Sequence, residues 1–253
     1  MDFRESVMMI GDPGMNPGNR FHIPGPCLLY TAYNKMTKGL PHKIIALPNA
    51  DKTWHESVQK LDSNLADFAH PYRLCACGPP NSGKTTMFQN LILHQKKSFQ
   101  KITVFHCDSE TKEWSSVCDS VVTECPRIED FDPDVKNLCI IDDIALKSLG
   151  KDERMRLDRL CGSWSTHRNI SIMISAQQPN QIPASIRRMM SIYCLWKSVD
   201  LMSLRDLATK CGVANNDLTA LMSLLEKPTD SLCIDLTSKY KYRRNIFELI
   251  EEA

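Results

Sequence analysis

The sequence predicts an α/β fold with a mainly parallel central sheet flanked by helices. Six apolar runs of strand length follow one another between Tyr72 and Trp196, and the stretches between them are helical or polar. Strands that alternate with helices in this way build parallel sheets. At 42% hydrophobic and 24% charged, the 253 residues also hold enough apolar material for one large domain or two small ones, which excludes a disordered tail. No stretch approaches the roughly 18–20 apolar residues of a membrane helix, and Met1 to Gly11 has no basic start followed by an apolar run. Neither membrane spanning nor secretion is expected.

The lead is rich in Gly and Pro (Gly11-Asp12-Pro13-Gly14, Pro24-Gly25-Pro26) and reads as loop or arm, followed by a short apolar run at Lys43 to Leu47. Between Thr53 and Phe68, Val58, Leu61, Leu65 and Phe68 recur at helical spacing, and His70-Pro71 ends that segment. Strands are then expected at Tyr72 to Cys77, Lys101 to Cys107, Ser120 to Thr123, Asn137 to Ile141, Ile170 to Ser175 and Ser191 to Trp196. Helices are expected at Thr86 to His94 and Asn215 to Leu225, and the tail pairs Leu232 to Leu236 with Asn245 to Ile250 across a basic turn. The expected organisation is an arm and entry segment over 1–50, a core over 51–230 and a basic C-terminal β-hairpin over 231–253.

Lys+Arg 31 against Asp+Glu 30 means that any polyanion must be held by a local patch, not by the field of the whole chain. Eleven cysteines form no C-x-x-C, and Cys75 and Cys77 share one face of an apolar run, so reduced core thiols are expected in place of zinc or disulfides.

Gly78-Pro79-Pro80-Asn81-Ser82-Gly83-Lys84-Thr85 fits G-x-x-x-x-G-K-[ST], after an apolar strand and before a helical segment that opens at Thr86. Glycines let consecutive backbone N–H groups turn inward, and the following helix N-terminus completes a positive nest for phosphate. Lys84 adds a mobile charge at the γ-phosphate, and Thr85 offers a hydroxyl to Mg²⁺. The expected ligand is a nucleoside triphosphate, ATP.

Leu138-Cys139-Ile140-Ile141 runs into Asp142-Asp143, the Walker B pattern. Asp142 is expected to hold Mg²⁺, directly or through water, and Asp143 to orient or deprotonate the attacking water. ATPases with an added strand between the two Walker strands usually carry Glu in the second place, so Asp143 reaches one methylene less far. The strand Ile170 to Ser175 ends in Ala176-Gln177, which puts an amide at the level of the γ-phosphate if that strand lies beside both Walker strands.

The run Gln177-Gln178-Pro179-Asn180-Gln181-Ile182-Pro183-Ala184-Ser185-Ile186-Arg187 resembles the Q-x-P-x-x-I-P-x-x-I-R segment of FtsK/HerA-type ATPases. With the loop and the double Asp, residues 70 to 200 resemble the viral genome-packaging branch of nucleocytoplasmic large DNA viruses and their virophages. That resemblance implies a RecA-like P-loop NTPase of the additional-strand type: an ATP-driven double-stranded DNA translocase, acting as a pentameric or hexameric ring that fills a preformed capsid. A capsid vertex or membrane-associated capsid protein is the implied partner, and the host cytoplasm, in a viral factory, and the virion are the implied locations. Lys84, Thr85, Asp142, Asp143 and Gln177 occupy matching positions. An arginine finger from a neighbouring subunit is also implied, with Arg187, Arg188 and Arg168 as candidates in that order.

Lys239-Tyr240-Lys241-Tyr242-Arg243-Arg244 interleaves cations with aromatics between two apolar strands, the composition of a hairpin tip that tracks a phosphate backbone or of a solvated turn. Lys239, Lys241, Arg243 and Arg244 are the candidate DNA contacts. Lys147, Lys151, Arg154, Arg156 and Arg159 are interrupted by acids and read as a solvated helix face. Two other classes remain: a P-loop nucleotide or small-molecule kinase, against which Gln177 argues, and a helicase or DNA pump of the same superfamily not tied to packaging. A GTPase is disfavoured because the only Asn-Lys, Asn34-Lys35, precedes the phosphate loop.

Overall fold

Along each central strand alternate side chains enter two separate apolar layers, which is how a sheet covered on both faces is written in sequence. Cys75 and Cys77 face one layer with Cys139, Ile141, Ile172 and Ile174, while Leu74 and Ala76 face the other with Leu138, Ile140 and Met173. The computed structural model describes residues 43–45, 68–95, 99–197, 199–238 and 241–251. Within them ten strands form one sheet. They are β1 (Lys43–Ile45), β2 (Arg73–Cys77), β3 (Lys101–Phe105), β4 (Ser120–Val122), β5 (Asn137–Ile141), β6 (Ile170–Ala176), β7 (Ile192–Trp196), β8 (Ser231–Asp235), β9 (Tyr242–Arg244) and β10 (Glu248–Glu251).

The order across the sheet is β1-β10-β9-β8-β7-β2-β6-β5-β3-β4. Strands β7, β2, β6, β5, β3 and β4 pair in parallel, and β8, β9, β10 and β1 extend the β7 edge antiparallel. β6 therefore lies between β2 and β5, the added strand expected between the two Walker strands.

Helix α1 (Lys84–Gln95) follows β2 and buries Met87, Phe88, Leu91 and Ile92 at three- and four-residue steps against the Leu74 face. The other face carries α2 (Lys151–Arg159), which continues through a π-helical turn at Leu160–Trp164 into α3 (Ser165–His167). It also carries α4 (Ala184–Met189), α5 (Leu201–Cys211) and α6 (Asn215–Ser223). Helix α5 starts where Asp200 accepts the Ser203 N–H at 2.9 Å and stops at Gly212, whose φ of 63° suits a residue without Cβ.

Each of the six expected parallel strands forms within two residues of its expected limits. The tail differs: β8 pairs with β9 inside the basic segment, and Glu248–Glu251 is a further strand between β9 and β1. A tight turn makes this possible, with Asn245 at φ 50° and Ile246 at φ 67° reversing the chain between β9 and β10. The arm over 1–50, apart from Lys43–Ile45, and the expected helix ending at Phe68 lie outside the described residues, Phe68 itself excepted.

Among the described residues no helix is long and apolar enough to cross a membrane. The described cysteines are unpaired, and Cys75, Cys77, Cys125, Cys139, Cys161, Cys194, Cys211 and Cys233 are buried. Burial pushes the Cys139 and Cys161 thiols up, so they pack as neutral apolar groups.

Candidate nucleotide-binding site

The C-terminal ends of β2, β5 and β6 meet at one edge of the sheet, and the expected phosphate loop sits there. Gly78 N–H donates to the Ala176 carbonyl at 3.1 Å, which ties the loop's first residue to the end of β6. A Cβ at Gly78 would stand 2.8 Å from the Trp196 Cβ, so only glycine lets β2 turn at this point. Asn81 at φ 61° and Gly83 at φ 97° turn the chain into α1, whose first bond runs from Met87 N–H to the Gly83 carbonyl at 2.8 Å. A Cβ at Gly83 would meet nothing within 4 Å, and the buried Ser82 hydroxyl has no hydrogen-bond partner. An open cradle with an orphaned donor at a helix N-terminus fits a phosphate chain.

Lys84 Nζ lies 2.8 Å from the carbonyl oxygens of both Gly78 and Pro79, folded back on its own loop. Burial lowers its pKa, and the nearby Asp142 carboxylate works in the opposite sense. Thr85 Oγ1 donates to Asp142 Oδ2 at 3.2 Å, so a hydroxyl and a buried carboxylate already face each other. This all-oxygen donor pair suits Mg²⁺ and not a soft metal.

The second oxygen of Asp142 accepts a bond from Ser175 Oγ at 2.5 Å, and Ser175 Oγ accepts the Asp143 N–H at 3.3 Å. One hydroxyl thus holds the Asp142 carboxylate and the Asp143 backbone. Ser175 was not among the residues expected at the site, yet register places it there: Ile141 pairs with Ile174, so Asp142 and Ser175 are the next opposite positions. Asp143 adopts a left-handed backbone at φ 53°, and its side chain lines a cavity that Asp142 does not.

Lys84, Asp143, Ser175, Gln177, Gln181 and Pro80 line one cavity of about 390 Å³. Gln177 is exposed there, its backbone N–H bonded to Gln181 Oε1 at 3.0 Å. A second cavity of about 660 Å³ lies on the other side of the loop. Asn81, Gly83 and Thr86 line it from the loop side, and Trp196, Asp230 and Phe247 from the antiparallel side.

Two expectations need correction. Pro179 and Pro183 stiffen the path leaving Gln177, which is expected to emerge at the nucleotide edge of the sheet with Arg187; instead, after Pro179–Gln181, helix α4 crosses back toward the strand starts, where Ser191 N–H bonds the Arg73 carbonyl at 2.9 Å. Arg187 therefore lies at the level of the start of β7, its carbonyl accepting the Tyr193 hydroxyl and its Nη1 4.0 Å from Asp206. Arg188 follows it and is exposed, whereas Arg168 precedes β6 at the opposite end of the sheet from the loop. None of the three lines the 390 Å³ cavity.

The basic segment is also not a free tip. Arg243 is buried and paired with Asp235 at 2.8 Å, and Arg244 Nε lies 2.9 Å from Glu248 and 3.7 Å from Asp230. Lys241 Nζ donates to the Cys211 carbonyl at 2.9 Å and lies over the Tyr242 ring. Arg243 and Arg244 in β9 and Lys241 just before it are thus engaged within the chain; Lys239 lies outside the described residues.

No protein-family model matches the chain, and no curated protein matches it in sequence. Among solved structures it is similar to B204, the DNA-packaging ATPase from Sulfolobus Turreted Icosahedral Virus, at 13% identity over 70% of this chain and 98% of that one, with a TM-score of 0.53. The genome packaging NTPase B204 from Sulfolobus turreted icosahedral virus 2 in complex with AMP matches at 13% identity over 72% and 98%, TM-score 0.52. The pCW3 conjugation coupling protein TcpA, in its monomer form with ATPγS, matches at 12% identity over 72% and 61%, TM-score 0.50. Likeness at this identity establishes the fold, that of the P-loop NTPases.

Proposed function

We propose that this chain is an ATPase that couples hydrolysis to the translocation of double-stranded DNA and, in its cellular setting, packages a viral genome into a preformed capsid. The observation that carries the enzymatic part is the convergence of Lys84, Asp143, Ser175 and Gln177 on one cavity beside the Thr85–Asp142 pair. Thr85 and Asp142 would hold Mg²⁺, which neutralises phosphate charge when bound. Lys84 exchanges two neutral carbonyl acceptors for anionic phosphate oxygens, which make roughly twice as strong a hydrogen bond. Asp143 takes the proton of the attacking water, and Gln177 holds that water in line. The nucleoside end of ATP occupies the 660 Å³ cavity on the other side of the loop.

DNA as the second substrate is supported by what the similar structures are described as, a DNA-packaging ATPase and a conjugation coupling protein. A ring, pentameric or hexameric, completed by an arginine in trans, a capsid vertex or membrane-associated capsid protein as partner, and work in a host viral factory belong to the same proposal. The test is ATP turnover with and without double-stranded DNA, measured beside particle mass. Stimulation by DNA together with a multimeric mass is expected. Turnover indifferent to DNA, with transfer of phosphate to a small acceptor, would favour the kinase class instead.

A further inference from the structure

The edge that holds the nucleotide cavity carries a second constellation, of different chemistry. His106 and Cys107 leave the end of β3 next to Asp143 at the end of β5, the neighbouring strand. One ligand atom from each of the three, an imidazole nitrogen, a thiol sulfur and a carboxylate oxygen, lies within 4.8 Å of the other two. We propose that His106, Cys107 and Asp143 form a binding site for a soft divalent cation of the Zn²⁺ class, separate from the Thr85–Asp142 position, and that its occupation inhibits ATP hydrolysis.

Ligand type is the first argument. Imidazole and thiolate select Zn²⁺-like ions, whereas Mg²⁺ takes hard oxygens, so the two positions sort the two metals. Distance is the second. Metal bonds of about 2.0–2.3 Å in a tetrahedron put ligand atoms about 3.3–3.8 Å apart. The trio needs to contract by about an ångström to reach that spacing, and both Cys107 and Asp143 are exposed side chains able to turn. The backbones of Asp143 and His106 are held: Asp143 N–H is bonded to Ser175, and His106 N–H donates to the Val122 carbonyl at 3.0 Å.

The buried His106 ring supplies the outer support. The Asp108 N–H donates to the ring's Nδ1 at 3.0 Å, and the Asp108 carbonyl oxygen lies at the same distance, so the backbone two residues on holds the ring by Nδ1 and leaves Nε2 as the nitrogen that would bind metal, with release of its proton or a switch of tautomer. Cys107 is the one exposed cysteine among the described residues, so an ion can reach its sulfur from solvent. Metal binding displaces the Cys107 thiol proton, which leaves for solvent, and a water completes the fourth position. No electron is transferred. Because Asp143 would then coordinate metal, its carboxylate is no longer a base for water at the Lys84 cavity. That regulatory half rests on the hydrolytic reading of Asp143; the site itself does not.

The test is titration of the full chain, nucleotide-free and in excess Mg²⁺, with Co²⁺ as the spectroscopic probe. A thiolate-to-cobalt charge-transfer band saturating at one equivalent and abolished by Zn²⁺ is expected. Cys107→Ser should remove that band, and His106→Gln should weaken Co²⁺ binding about tenfold or more. Lys84→Ala, which disables the nucleotide site, should retain it. No band, or a band that survives Cys107→Ser, overturns the site. For regulation, Zn²⁺ should suppress wild-type ATP turnover about tenfold or more while Cys107→Ser, with unchanged basal turnover, resists. Equal inhibition of both proteins overturns the regulatory half. Should wild type show no turnover at all, the hydrolytic reading has failed, and the cobalt titration still decides the site.

Discussion

In the proposed mechanism Lys84 and the two acids have separate tasks, and each can be tested alone. Lys84 is anchored only to loop carbonyls, so Lys84→Ala should leave the fold intact while lowering turnover 10²-fold or more, the usual loss when preorganised charge is removed. A circular dichroism spectrum beside the rate constant checks both statements. Asp142→Asn should weaken Mg²⁺-nucleotide binding, whereas Asp143→Asn should preserve binding and abolish hydrolysis; dissociation constants and rates measured together separate the two. Ser175→Ala removes the hydroxyl that holds the Asp142 carboxylate and the Asp143 backbone, and should cost roughly tenfold in turnover, with Ser175→Thr restoring most of it. Lys84, Thr85 and Asp142 were legible because their spacing is a property of one chain segment. Ser175 was not, since its role comes from pairing across strands, and a serine ending an apolar run carries no mark of its own.

At the level of elements, the parallel half of the sheet was legible and the antiparallel edge was not. Strands buried on both faces are continuous apolar runs, so β2, β5, β6 and β7 announce themselves in sequence. β9 instead reads Tyr242-Arg243-Arg244, a composition that suggests solvent or phosphate. What reverses that reading is the acids of the flanking segments: Asp235 meets Arg243, and Asp230 with Glu248 meets Arg244. These partners cannot be assigned until the register is known. Asp235→Ala should therefore destabilise the protein by about 3–5 kcal/mol, because it leaves the Arg243 guanidinium buried without its counter-ion. Urea unfolding monitored by tryptophan fluorescence measures this; a loss under about 1 kcal/mol would mean that water reaches the pair.

For the whole molecule, the question is whether the site is complete in one chain. Arg187, Arg188 and Arg168 do not line their own cavity, so the arginine finger proposed above would have to reach it from a neighbouring subunit. Mixing Lys84→Ala subunits with Arg187→Ala subunits, each inactive alone, should restore part of the ATPase activity, since some interfaces then join an intact loop to an intact arginine. If no mixture with any of the three arginine variants recovers activity despite co-assembly confirmed by mass, the site is completed within one chain.

Strand β1 has a mechanical consequence for a protein proposed to pull on a polymer. It pairs antiparallel with β10, and Lys43 lies opposite Glu251, so a load entering through residues 43 and 251 acts at the same end of the ladder. Such a load opens the hydrogen bonds one after another, as a zip opens, instead of shearing all of them together. The β1–β10 edge should yield at low force while the parallel strands that carry Lys84, Asp142 and Gln177 stay folded. A force-extension record taken through those two points should show a small first rupture that refolds readily, well before the main unfolding event.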